Sequence, residues 1–205
     1  LKNKNSSLIT DFSFVDGYKS KTNKEKSSIT HFFSKYNKDL NFDNFKQSNL
    51  ELSLQKVNND SYLKVFDQSS TNKDLRPQNN DILTSEIKLN LENDNYKLIS
   101  GLISYENLQK NNSDRYEFVL PYYNLSGDLS DGEEYGYLSF SSTGDNVLKD
   151  TNNLRSRIIN DLIYQSNDII TKSGIKNNFN INIKNLNSIG KNDAEYKSSP
   201  QIELM

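Results

Sequence analysis

A chain of 205 residues with net charge −2 and 33% hydrophobic residues can hold one core and is too aromatic to be disordered throughout. The absence of cysteine excludes disulfides, thiolate chemistry and Cys-based zinc sites, and a single histidine excludes a histidine metal cluster. The slightly acidic balance, without a basic stripe interleaved with aromatics, argues against nucleic acid, and no apolar run approaches the ~20 residues of a spanning helix. The 31 Asn and 27 Ser, one Ala, and 21 Lys against 4 Arg read as the codon bias of an AT-rich, bacterial genome.

The polar opening LKNKNSS resembles the tether between a membrane anchor and an ectodomain, and an arbitrary truncation accounts for it equally. Residues 1–26 are therefore read as a tether, with LITDFSFVDGY as a short strand placing Phe12 and Phe14 on one side. Ile29, Phe32, Phe33, Tyr36 and Leu40 fall at i, i+3, i+4, i+7 and i+11, which predicts a helix capped by Ser27 or Ser28. From residue 49 the period drops to two. Leu50, Leu52 and Leu54 alternate with Glu51, Ser53 and Gln55, and a turn at 58–60 predicts a hairpin with SYLKVF.

Residues 67–81 read as a loop. Leu83, Ile87, Leu89 and Leu91 share a face of the next strand, and a turn at 93–95 leads into YKLISGLISYENL, apolar on both faces and hence central. RYEFVLPYY and YGYLSF form an antiparallel pair around an acidic loop, with Pro121 marking an edge or an end. The strongest helical signal follows in Leu154, Ile158, Leu162 and Ile169, flanked by Ile159, Ile163 and Ile170. A cap at Asp150 or Thr151 and a C-terminal Gly174 bound it. Phe179, Ile181 and Ile183 alternate in a last strand, and residues 188–205 read as an irregular tail. The expected fold is α+β: a mainly antiparallel sheet of about five to seven strands with two principal helices packed on it, in one domain over 27–187.

The candidate binding residues are Tyr116, Tyr122, Tyr123, Tyr135 and Tyr137, since tyrosine offers large contact area with few torsions. Alternation puts Tyr116, Phe118, Leu120 and Tyr122 on one face, where plain cross-strand packing explains them as well. Asp128, Asp131, Glu133 and Glu134 gather around Gly132 without EF-hand spacing, so they read as a solvated loop rather than a cation site. His31 sits beside the apolar stripe of the first predicted helix, partly exposed and with no nucleophile elbow near it. Lys19, Lys21, Lys24 and Lys26 form a short basic cluster that reads as a solvated face. No catalytic residue, metal site or cofactor is assigned.

The expected function is a non-enzymatic, exported or surface-anchored binding module, secreted or lipoprotein-like. Its partner would be a protein or glycan at the cell surface, with any membrane tether lying outside the chain. A structural subunit of an envelope or secretion assembly is one alternative, and a hydrolase using paired carboxylates is another. A cytoplasmic location fits a cysteine-free chain nearly as well.

Overall fold

Hairpin after hairpin builds this chain in a computed structural model that describes residues 2–19, 27–66, 74–132, 136–150, 152–190 and 193–204. Among the described residues, strands hold 72% and helices 3%. The strands are β1 Lys2–Asn3, β2 Ser6–Tyr18, β3 Ser27–Asp39, β4 Gln47–Val57, β5 Ile82–Glu92 and β6 Tyr96–Asn107. They continue as β7 Tyr116–Asp131, β8 Tyr137–Lys149, β9 Asn153–Gln165, β10 Ile169–Ile170, β11 Lys176–Asn177, β12 Asn180–Gly190 and β13 Asp193–Leu204. All but β10 and β11 lie in one sheet, in the order β1-β2-β3-β4-β5-β6-β7-β8-β9-β12-β13, and each neighbouring pair is antiparallel. The β10–β11 hairpin is an excursion between β9 and β12. Ten strands run 11 to 16 residues, about twice the usual strand length.

The α+β expectation is therefore overturned. Residues 29–40 lie in β3 and its exit, and residues 154–165 lie in β9, so neither predicted helix exists. The physical reason is that a spacing of four suits both geometries. Leu154, Ile158 and Leu162 return to one side of a strand as surely as they stack on one side of a helix. A single alanine among 205 residues leaves helices without their best former, whereas Ile, Phe and Tyr favour a pleated surface. Gly174, read as a helix end, instead takes a positive φ in the turn of the β10–β11 hairpin, donating to the Thr171 carbonyl.

Other elements fall differently. SYLKVF does not return as a strand but coils into the one described α-helix, α1 Tyr62–Val65. Residues 193–204, without an obvious period by sequence, form β13 against β12. Pro121 neither ends a strand nor marks an edge. It sits in central β7 at a bulge between Val119 and Tyr122, where the ladder skips and no amide is missed. Ile29, Phe33, Val57, Tyr62, Leu63, Leu75, Leu83 and Leu108 make the principal core at one end of β3–β6, where α1 and the segment around Leu75 fold onto the sheet.

Candidate functional site

Pairing register assigns every strand residue to one of two faces, because partners across a ladder share a side and neighbours along a strand do not. One face carries Leu8, Phe12 and Phe14 on β2, Phe32 and Tyr36 on β3, Leu50, Leu52 and Leu54 on β4, and Ile87, Leu89 and Leu91 on β5. It continues through Leu98 and Leu102, Phe118 and Leu125, Phe140 and Leu148, Leu154, Ile158 and Leu162. Ile181, Ile183, Ile202 and Leu204 complete it on β12 and β13. The charged side chains that the register places on this face are Lys38, Lys56 and Glu106, each next to last in its strand.

No second layer covers this apolar face among the described residues. Phe12 is 66% exposed, Ile158 43% and Ile202 76%. At its middle Phe32, Leu54, Ile87, Leu102 and Leu120 line a shallow apolar depression. Some of its polar side chains bond within the sheet: Ser100 donates to the Tyr122 carbonyl at 3.0 Å and Ser142 to Asn160 Oδ1 at 2.7 Å. Aromatic pairs stand at its two ends, Tyr96 edge-on to Phe45 with centroids 6.0 Å apart and Tyr116 stacked on Phe118 at 6.1 Å.

The opposite face is lined with charge in cross-strand pairs. Glu51 faces Lys88, Asp145 faces Arg157 and Asp161 faces Lys184 in direct register. Arg157 reaches Asp145 at 2.9 Å, Lys149 reaches Glu117 at 2.9 Å and Lys97 reaches Glu92 at 3.1 Å. Tyr122 donates to Glu86 at 2.6 Å. A polar hollow opens here between Lys35, Glu51, Gln55, Arg76, Glu86 and Tyr105.

Two cross-strand contacts depend on glycine. Tyr122 lies across Gly101, its direct partner, and Tyr123 lies across Gly144; a Cβ at Gly144 would stand 2.3 Å from the Tyr123 ring. Each ring covers backbone that a side chain would otherwise protect.

His31 belongs to the charged face and is 1% exposed, which corrects its expected half-exposed helix position. Its Nδ1 lies 2.8 Å from Ser13 Oγ and 2.5 Å from the Tyr62 hydroxyl, while Nε2 lies 3.2 Å from Asp11 Oδ1. Phe33 stacks on the ring at 4.5 Å. Serine, histidine and aspartate thus meet, but under α1 and with the ring sealed from solvent, so the cluster fastens α1 to β2 and β3. Sequence reasoning missed it because Asp11 and Tyr62 lie 20 and 31 residues from His31.

The candidate tyrosines divide between the faces. Tyr116 and Tyr123 lie on the apolar face, Tyr122 and Tyr137 on the charged one, and Tyr135 lies outside the described residues. The bulge at Pro121 causes the split, shifting parity so that Tyr122 parts from Tyr116 and Phe118. Tyr137 donates to Asp128 of the acidic loop, whose Glu133 and Glu134 lie outside the described residues. So do Lys21, Lys24 and Lys26 of the basic cluster. Compared with known proteins, the chain matches no family model and no curated relative.

Proposed function

We propose that this chain forms wall of a membrane-embedded β-barrel, its apolar face against lipid and its charged face against an aqueous or plugged interior. The observation that carries this is the sorting of side chains: a ten-strand meander with an uncovered apolar face and a face of cross-strand ion pairs. A soluble sandwich would bury that apolar face under a second sheet. Strands of 11 to 16 residues span about 26–38 Å when tilted near 45°, against a hydrocarbon core of about 30 Å. Each large side chain moved from water to lipid contributes roughly 1.5–3 kcal/mol. Aromatic pairs at both ends of the apolar band suit the interfaces, as in such barrels generally.

This reading develops the envelope-assembly alternative and places the chain in a cell-envelope membrane. It uses Tyr116 and Tyr123 as lipid-facing or interfacial residues and Tyr122 as a lumenal one, so no separate tyrosine patch is required. The absence of cysteine makes the test direct. Single cysteines at Leu102 and Ile158, and at Thr143 and Ser139, are labelled with a fluorophore in refolded vesicles. Labels at the first two should be quenched by spin-labelled lipid and spared by aqueous iodide, and those at the second two should do the reverse. Equal aqueous quenching at all four would end the proposal.

A further inference from the structure

β4 and β5 part before either strand ends. Their ladder runs from Gln47 opposite Glu92 to Ser53 opposite Glu86 and stops there, although β4 continues to Val57 and β5 starts at Ile82. Past that point Gln55 bridges the strands with its side chain, accepting from the Thr84 amide at 2.8 Å and donating to the Leu75 carbonyl at 3.3 Å. The polar hollow of the charged face opens at this parting and measures about 470 Å³. Small-molecule sites occupy about 300–1,000 Å³. Ser53 pairs directly with Lys35 on one side and Glu86 on the other. Two strand spacings, roughly 9.6 Å, therefore separate the backbones of Lys35 and Glu86, with one small side chain between them.

Lys88, Lys97, Lys149, Arg157 and Lys184 on this face each reach a carboxylate. Half-buried Lys35 has neither a hydrogen bond nor an ion pair among the described residues, although Glu51 and Glu86 flank it. Tyr122 donates to Glu86 Oε1, which orients that carboxylate and leaves its second oxygen to accept. Glu51 is held loosely, by Asn90 at 3.3 Å and Lys88 at 3.9 Å. The Tyr105 hydroxyl has no hydrogen-bond partner among the described residues, and burial, then Glu86 and Glu117, push it up, so it stays a donor. Asp74 and Arg76 also line the hollow, with Arg76 turned to α1 and donating to the Leu63 carbonyl at 3.2 Å. A simple anion on Lys35 would face Glu51, Asp74 and Glu86, and a simple cation between the glutamates would face Lys35. A neutral polyol would bond these groups but leave Lys35 without a counter-charge, and an apolar ligand would strip water from all of them. We propose that this hollow binds a small zwitterion of the α-amino acid class, its carboxylate on the Lys35 ammonium and its ammonium between Glu86 and Glu51. The hollow stands on the charged face whether or not lipid covers the other.

Titration of the refolded chain in detergent micelles with L-alanine tests this, with the Ser53 and Thr84 amide signals followed by NMR. N-acetylalanine lacks the ammonium, alaninamide lacks the carboxylate, and maltose supplies hydroxyls without charge. The expected result is a saturable shift with alanine at about 1 mM, and at least roughly tenfold weaker binding of each of the other three. Lys35→Gln and Glu86→Gln keep the side chains' size and hydrogen-bonding capacity while removing one charge each. Both should weaken alanine at least roughly tenfold, whereas Arg157→Gln, at an ion pair outside the hollow, should leave it unchanged. No saturation by alanine below about 10 mM would overturn the proposal. Equal affinity for N-acetylalanine or alaninamide would show a site for a single charge, and equal affinity for maltose a polyol site, and either would overturn it. Alanine binding untouched by Lys35→Gln would place the ligand elsewhere, with the same consequence. The comparison among the four probes uses the unaltered chain, so a variant that fails to fold does not shield the proposal from it.

Discussion

The first half of the sheet and the second share one backbone ladder but not one means of support. β2 to β6 enclose Phe33, Val57, Tyr62, Leu63 and their neighbours against α1, with His31 buried among them. In β8 to β13 the only fully buried hydrophobic residue among those described is Val147. That second half relies on its ladder, its cross-strand ion pairs and whatever covers Ile158, Ile183 and Ile202. The first half carries its own core in any solvent, whereas on the membrane-wall proposal the second half depends on a surrounding apolar phase.

The largest expected effect lies in the first half. Phe33→Ala should cost about 3–5 kcal/mol in denaturant unfolding, in detergent and in lipid alike, because the ring is buried against protein. Ile158→Arg, on the apolar face of β9, should cost about 2–4 kcal/mol in a bilayer. In a water-exposed sheet the same change should stay within about 0.5 kcal/mol. An Ile158→Arg penalty that did not depend on lipid would erase the proposed difference between the halves.

The same division explains what could be read from sequence. Strands β4, β5 and β12 were legible because Leu50, Leu52 and Leu54, or Ile181 and Ile183, alternate with strongly polar residues, and β6 because a short run apolar on both faces between turns suits a central strand. β3 and β9 were not, since Phe32 with Phe33 and Ile158 with Ile159 put bulk on both faces, and doublets four apart imitate a helical stripe. The signal that separates them is the polar set: Arg155 and Arg157, or Lys35 and Asn37, keep a period of two through the apolar doublets. The site was legible only in pieces. Tyrosines around the acidic loop were visible, but the bulge at Pro121 that divides them between faces was not, and nothing local announces that His31 meets Tyr62.

Smaller effects sharpen the contrast within the ladder itself. Gly144→Ala drives a methyl into the Tyr123 ring and should cost about 1–3 kcal/mol, as overpacking does. Combining it with Tyr123→Ala should recover part of that loss, which a double-mutant cycle would read. Arg157→Gln removes the partner of Asp145, at a pair whose arginine is 44% exposed, and should cost at most about 1 kcal/mol. Its penalty should shrink as salt is added, because the charged face meets water.

The smallest effect lies outside the wall, in the hairpin between β9 and β12. Lys176 donates to Asp168 Oδ2 at 2.7 Å. That hydrogen bond holds the Asp168 carboxyl below its ordinary 3.8, against a smaller opposing effect of desolvation and with help from Asn178. A carboxyl depressed by folding stabilises the hairpin above its unfolded value, and the stabilisation is lost as pH falls through the folded value. Carbon-detected NMR of the Asp168 carboxyl should therefore show a midpoint below 3.8, moving upward in Lys176→Gln and with added salt. The protection factor of the Ile175 amide, which donates to Thr171 Oγ1 at 3.1 Å in the turn, should fall over the same acid range while core amides of β3 stay protected. If the β3 amides loosened at the same pH, the hairpin would be folding with the first half's core, and the separation of the two regions would fail at its outermost point.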